Sequence, residues 1–286
     1  MKIMCTIVFF CFSLIYADSY LTEIQAWQQQ RIRSLKKNWL SLVDLHWMNK
    51  ENTTIGSGSD CDIIVSQKRF PALIGTFVRK GDSVFFTPHA KNVTCDKENI
   101  TTTTKVFQND QTGNLAYKSL SWFVISRSGK LAIRVRDYEN EDVAKLKKLP
   151  RFATNLQWKV TAKFLPYTPP KKIEIVNVLG MASEDEVPGK LVFEIAGKQH
   201  SLEPVKSGES LFIMFKDTTT GHTTYSVGRY LYAKFPDENG NVVIDFNKAY
   251  NPPCAYTPYA TCPMAPKQNH LPIAIEAGEK YSQEAH

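Results

Sequence analysis

The chain has 286 residues, of which 43% are hydrophobic and 22% charged, with a formal charge of +7. This balance excludes a disordered chain and supplies enough apolar material for one large or two small domains. The basic residues are dispersed, with no run interleaved by aromatics, so the charge does not mark a nucleic-acid-binding face.

Lys2, the apolar run from Ile3 to Tyr16 and the small residue Ala17 form a secretory signal pattern over residues 1–17. The run is too short for a comfortable membrane span. A secreted or periplasmic protein is expected, with no membrane span once the signal is removed. Cys5 and Cys11 leave with that segment, and Cys61, Cys95, Cys254 and Cys262 remain. An even number in an oxidising compartment favours disulfides. The Pro-rich stretch between Cys254 and Cys262 can fold back on itself, so these two are expected to pair, leaving Cys61 with Cys95. The rival is a metal site of two thiolates completed by His46, His222 or His270. No C-x-x-C or H-x-x-x-H spacing supports it, and no cofactor is expected.

Ser19 to Asn38 reads as a helix, with Leu21, Ile24, Trp27 and Leu35 near helical spacing. Trp39 to Met48 reads as a short apolar link. From Thr53 onward short β-rich runs alternate with Gly and charged turns: Ile63 to Val65, Leu73 to Val78, Ser83 to Thr87 and an exposed Thr101 to Thr104. Ser121 to Ser126 and Leu131 to Asp137 flank the hairpin turn Arg127-Ser-Gly-Lys. Glu139 to Leu149 suggests one short helix. Strands are then expected at Trp158 to Phe164, Ile173 to Val178, Leu191 to Ile195, Leu211 to Phe215, Tyr225 to Phe235 and Val242 to Phe246. The fold class is therefore mainly β, an antiparallel sandwich or barrel with an N-terminal helix and one short internal helix. Lys147 to Phe152 marks the internal boundary. It divides residues 18–150, the helix plus a first β-rich half, from residues 151–286, a second half with the Cys/Pro loop. One continuous core through both is the alternative.

The candidate site lies at Asp245 to Pro263, which holds Asn247, Asn251, Cys254 and Cys262 among four prolines and four aromatics. Proline excludes a helix there, and the tyrosines would leave apolar area in water if the loop were loose. Upstream, Arg229 shares strand parity with Leu231 and Phe235 and so points inward. A buried guanidinium needs an anionic partner, for which Asp217 and Asp245 are the candidates. Of the C-terminal acids, Glu276 is the better site candidate and Glu279 reads as an exposed acid near a frayed tail.

Two resemblances follow. Thr54 to Val65 resembles the start of forkhead-associated domains, which bind phosphothreonine. Ser57 stands where that family places its phosphate-binding Arg, so the resemblance implies a shared β-sandwich start and not phosphopeptide binding. The second is broader. G-x-x-T-Y-x-x-G-R-x-L at Gly221 to Leu231 is followed by D-F-N-x-A-Y-N-P-P-C-A at Asp245 to Ala255. Cys262 with Pro263, Asn269 with Leu271, and Ala277 to Glu279 complete this part. Together with Leu42 to Trp47 and Asn52 to Ser57, these segments resemble an uncharacterised bacterial and archaeal family, domain-of-unknown-function family 1684. The resemblance implies that they share one fold and one site, without an activity. The functional expectation is a binding module with a polar pocket for a small anionic ligand under the loop. Its contacts would come from Arg229, Tyr225, Asp217, Asn251, Cys254 and Glu276. The alternatives are a hydrolase using Asp245, Asn247 and Asn251, with or without metal, and a purely structural protein.

Overall fold

In the computed structural model the backbone of residues 3–66 and 70–281 is described, and side chains from Asp18 onward. Met1, Lys2 and the side chains of the expected signal segment therefore lie outside the described residues. Helix α1 spans Ile3–Leu35 and is followed by one π-helical turn, Lys36–Leu40. No helix among the described residues is long and apolar enough to cross a membrane. The chain divides into two compact units. One is built from Leu35–Leu146 and Thr257–Tyr259, the other from Met1–Ser34, Lys147–Tyr256 and Ala260–His286. The division between halves falls at Leu146/Lys147, but most of the helix expected to join the first half groups with the second.

The first unit carries β1 (Leu42–Trp47), β2 (Asn52–Gly56), β3 (Ile63–Ile64), β4 (Gly75–Lys80), β5 (Ser83–Pro88), β6 (Thr94–Cys95) and β7 (Glu98–Asn99). After them come β8 (Thr104–Gln108), β9 (Gln111–Thr112), β10 (Leu115–Tyr117), β11 (Leu120–Arg127), β12 (Lys130–Asp137) and the short helix α2 (Glu141–Lys145). Two six-stranded sheets form, in the orders β1-β12-β11-β10-β6-β7 and β3-β2-β4-β5-β8-β9. Alternation places Val84 and Phe86 of β5 inward, with Phe77 of β4. Trp122, fully buried, meets Phe70 edge-on at 5.2 Å and Phe86 at 5.9 Å. The β11–β12 hairpin turns as expected, with Arg127 opposite Lys130 and both Ser128 and Gly129 at positive φ. Three local expectations shift. Leu42–Trp47 is a strand paired with β12, not a link. Thr101 to Thr103 lie outside the strand, which begins at Thr104, where Val106 and Phe107 supply apolar side chains to bury. The internal helix ends at Lys145, short of Pro150, and no residue of it is buried. Gly56 is required because a Cβ there would sit 2.0 Å from the Ala72 carbonyl oxygen. Ser57 turns its Oγ onto the Phe70 carbonyl at 2.7 Å, so the position that carries Arg in forkhead-associated domains serves the backbone.

The second unit carries β13 (Lys159–Val176), β14 (Ala182–Ile195), β15 (Lys198–Leu202), β16 (Val205–Ser207), β17 (Ser210–Phe215), β18 (Arg229–Lys234) and β19 (Asn241–Asp245). Its antiparallel sheets, β15-β14-β13-β19 and β16-β17-β18, curl around one core. The two strands expected at Trp158 to Phe164 and Ile173 to Val178 are one strand, β13. Its register against β14 slips between Pro166 and Lys171, where the prolines have no amide to pair. Phe246 is fully buried between Phe215 at 5.5 Å and Phe193 at 5.9 Å. Such burial stabilises by about 1.5–3 kcal/mol. The fold is mainly β and antiparallel, with an N-terminal helix, as the sequence predicts.

Candidate functional site

Arg229 opens β18, and strand alternation sends it inward with Leu231 and Ala233 while Tyr230 and Tyr232 take the opposite face, Tyr230 covered by Tyr250 and Pro263 and Tyr232 exposed. Gly228 at φ +107° allows this entry, since a Cβ there would lie 2.6 Å from the Phe215 carbonyl oxygen. Arg229 is 1% exposed. Its Nη2 meets Asp217 Oδ2 at 2.5 Å and donates to the Ile275 carbonyl at 2.8 Å, and its Nη1 donates to the Ala277 carbonyl. The guanidinium also lies 5.2 Å from the Phe215 ring centroid. The other Asp217 oxygen accepts from the amide and hydroxyl of Thr219. Burial presses the Arg229 pKa down, against the pull of Asp217. The partner is thus Asp217; Asp245 is bound elsewhere.

Asp245 ends β19 and caps the 3-10 turn Phe246–Lys248, its Oδ1 accepting the Asn247 amide at 3.2 Å and the Tyr20 hydroxyl at 2.8 Å. Burial, then Asp245, pushes the Tyr20 hydroxyl pKa up. Asn247 Nδ2 donates to the Asn155 carbonyl at 2.8 Å, and Asn247 Oδ1 accepts the Asn155 amide at 3.1 Å. Arg151 donates to the Asn247 carbonyl and lies 3.7 Å from Glu279 Oε1. Glu279 is fully buried, the reverse of an exposed tail acid. It accepts the Asn251 amide at 2.8 Å, the Tyr256 hydroxyl at 2.9 Å and Arg31 Nε at 3.3 Å. Burial first, then Glu279, raises the Tyr256 hydroxyl well above its ordinary value. Arg31 donates also to the Asn251 carbonyl and sits 4.5 Å over the Tyr250 ring. Gly278 fixes the approach, because a Cβ there would lie 2.4 Å from the Ala249 carbonyl oxygen. Tyr20, Glu23, Trp27 and Arg31 fall on one face of α1, and Lys248 reaches Glu23 at 2.5 Å. Asp245, Asn247, Asn251 and Glu279 therefore form one bonded network that fastens the helix to the curled sheets, with the Arg229–Asp217 pair bonded apart from it.

Residues 144–280 match the family described as protein of unknown function, DUF1684. The Leu42 to Ser57 part of the resemblance lies outside the matched residues. An uncharacterized protein of Haloarcula marismortui, solved by NMR, is 26% identical over 51% of this chain and 82% of its own, with a TM-score of 0.42. EmbR of Mycobacterium tuberculosis in complex with a low affinity phosphopeptide is 12% identical over 34% of this chain and 24% of its own, with a TM-score of 0.23. No curated protein matches.

Within the DUF1684 segment the expected site residues separate. Asp217 with Arg229, and Asn251 with Glu279, are sealed by the chain's own partners. Tyr225 is half-buried and donates to the Cys254 carbonyl at 3.0 Å. Glu276 is exposed: of the tail acids, Glu279 is the one turned inward by Gly278. Cys61, Cys95, Cys254 and Cys262 are free thiols and not bridges. Cys61 Sγ donates to the Ala72 carbonyl, Cys95 Sγ lies 3.8 Å from Asp96, and Cys262 Sγ accepts the Cys254 amide at 3.1 Å. No group of three or more metal-ligating side chains converges among the described residues. His46 lies 2.9 Å from Asp44, and His270 lies 3.4 Å from the Ala265 carbonyl. Sequence reasoning missed Asn269. It is fully buried, accepts the Glu203 amide at 2.7 Å, and donates to the Glu203 and Met214 carbonyls at 2.9 Å each. The N-x-L fragment at Asn269 was its only signal.

Proposed function

We propose that this is an exported, non-catalytic binding module for a small, ring-bearing anionic ligand. The ligand surface is the outward face of β17 and β18. One observation carries this reading. Tyr232 is 51% exposed, yet its ring is held on Phe212 at 4.9 Å and 30°, and near-parallel to Tyr250 at 6.5 Å and 13°. A large aromatic kept in water in a fixed pose is a preorganised stacking surface. Lys234, two residues along the same strand face and exposed, supplies the cation for an acid group. The sealing of Asp245, Asn247 and Asn251 argues against hydrolysis, because a general base must reach the proton it abstracts. Export rests on the apolar run at Ile3 to Tyr16, and intact mass from the native host should give a start near Asp18.

The test is an NMR titration with glucuronate, glucose and inorganic phosphate as probes. Glucuronate should move the β17–β18 signals, and Tyr232→Ala or Lys234→Glu should abolish the response at unchanged melting temperature. A response confined to phosphate, or centred on Arg229, overturns the proposal.

A further inference from the structure

The loop between Asn251 and Pro263 holds two sulfurs that neither the polar network nor the stacking surface uses. Cys254 is half-buried, while Cys262 is 4% exposed. The Cys254 amide donates to Cys262 Sγ at 3.1 Å, which brings the Cys262 sulfur against the Cys254 main chain. Tyr225 anchors the Cys254 carbonyl at 3.0 Å, and Tyr230 anchors the carbonyl of Pro263, the residue after Cys262, at 2.6 Å. Both backbones are thus pinned with the two cysteines in contact, Cys254 nearer solvent and Cys262 inside. The other thiols lack such a partner. Burial raises Cys61, and burial with Asp96 pushes Cys95 up to about 11. The hydrogen bond from Cys262 instead holds Cys254 below the usual thiol range, and the same bond, with burial, pushes Cys262 up.

We propose that Cys254 and Cys262 form a dithiol site that exchanges with small disulfides, with Cys254 as attacking and Cys262 as resolving sulfur. The Cys254 thiolate attacks one sulfur of a disulfide R–S–S–R, forming a Cys254 mixed disulfide and expelling one thiolate. That thiolate takes the Cys262 proton. Cys262 then attacks Cys254 Sγ, closing the loop disulfide and expelling the second thiolate, which is protonated by water. Two electrons pass from the protein to R–S–S–R. The partly exposed sulfur receives the substrate, and the buried one is reached only from within the loop.

The test is incubation of the reduced full chain with oxidised glutathione, followed by alkylation and peptide mapping. The wild type should close Cys254–Cys262 reversibly as the ratio of reduced to oxidised glutathione is varied. In Cys262→Ser a glutathione adduct should build up at Cys254, about tenfold faster than at Cys61 in the same molecule. Cys254→Ser should leave Cys262 unmodified. Thiols that stay free in the wild type, an adduct no faster than that at Cys61, or a bridge that reduced glutathione never opens each overturn the proposal.

Discussion

The two compact units are stabilised internally by different means. The unit of β1 to β12 closes mainly on aromatic and aliphatic side chains, with Trp122, Phe77 and Phe86 at its centre, and among its described residues buries only two charged ones, Arg134 and Asp137. The unit of α1 and β13 to β19 has an apolar core of its own, but it also buries Arg229, Asp217, Asp245, Asn247, Asn251, Asn269 and Glu279. An apolar core asks for volume, and several residues of similar size satisfy it. A buried polar network asks for particular atoms at particular distances, and each missing partner leaves another stranded. The two longest motif runs, Gly221 to Leu231 and Asp245 to Ala255, lie in the second unit for that reason.

Removing a hub of the network should have the largest effect. Glu279→Ala strands Arg31 and Arg151, and Arg229→Leu strands Asp217; each should cost about 3–5 kcal/mol in urea unfolding of the second unit. The double variant Asp217→Leu/Arg229→Leu should recover much of that loss, and failure to recover would show that the pair matters beyond charge balance. Asn269→Ala removes three hydrogen bonds to main chain and should cost about 1–3 kcal/mol, read by the same unfolding curve. In the aromatic core, Phe77→Leu should cost no more than about 1.5 kcal/mol. A larger loss there than at Asn269 would erase the contrast between the units.

The smallest effect is one of pH. Burial pushes Glu203 up, but Tyr167, Lys171 and Gln268 outweigh it and hold the carboxyl below its usual range. A carboxyl depressed on folding adds stability above its unfolded pKa and loses it as pH falls through the folded one. Glu203→Gln should therefore flatten the acid limb of stability against pH while changing little near neutrality. An unchanged acid limb would show that the cluster around Glu203 is not coupled to folding.

Much of this was legible in the sequence, where a local rule sufficed. Parity alone turned Arg229 inward, and the Ser128-Gly129 turn set the β11–β12 register. What could not be read was pairing across long separations. Asp217 and Asp245 both end elements near Arg229 in the chain, and only the return of Ile275 and Ala277 alongside Asp217 decides between them. Glu279 looked like a tail acid because its partners lie at Arg31, Arg151 and Asn251. The cysteine spacing allowed a bridge, but spacing carries no information on which donor each sulfur meets.

The interleaving of the two units imposes a timetable on synthesis. Leu35–Leu146 leaves the ribosome as a nearly complete sheet system, while the helix made before it has none of its network partners yet. Tyr20 must wait for Asp245 and Arg31 for Glu279, across separations of 225 and 248 residues. Contacts that distant form slowly, because the intervening chain must be ordered first. A nascent chain arrested before Asp245 would thus carry one nearly finished unit preceded by a helix whose Tyr20 and Trp27 still lack Asp245 and Tyr250. That intermediate is where a holding chaperone would act, and where truncation would do its damage.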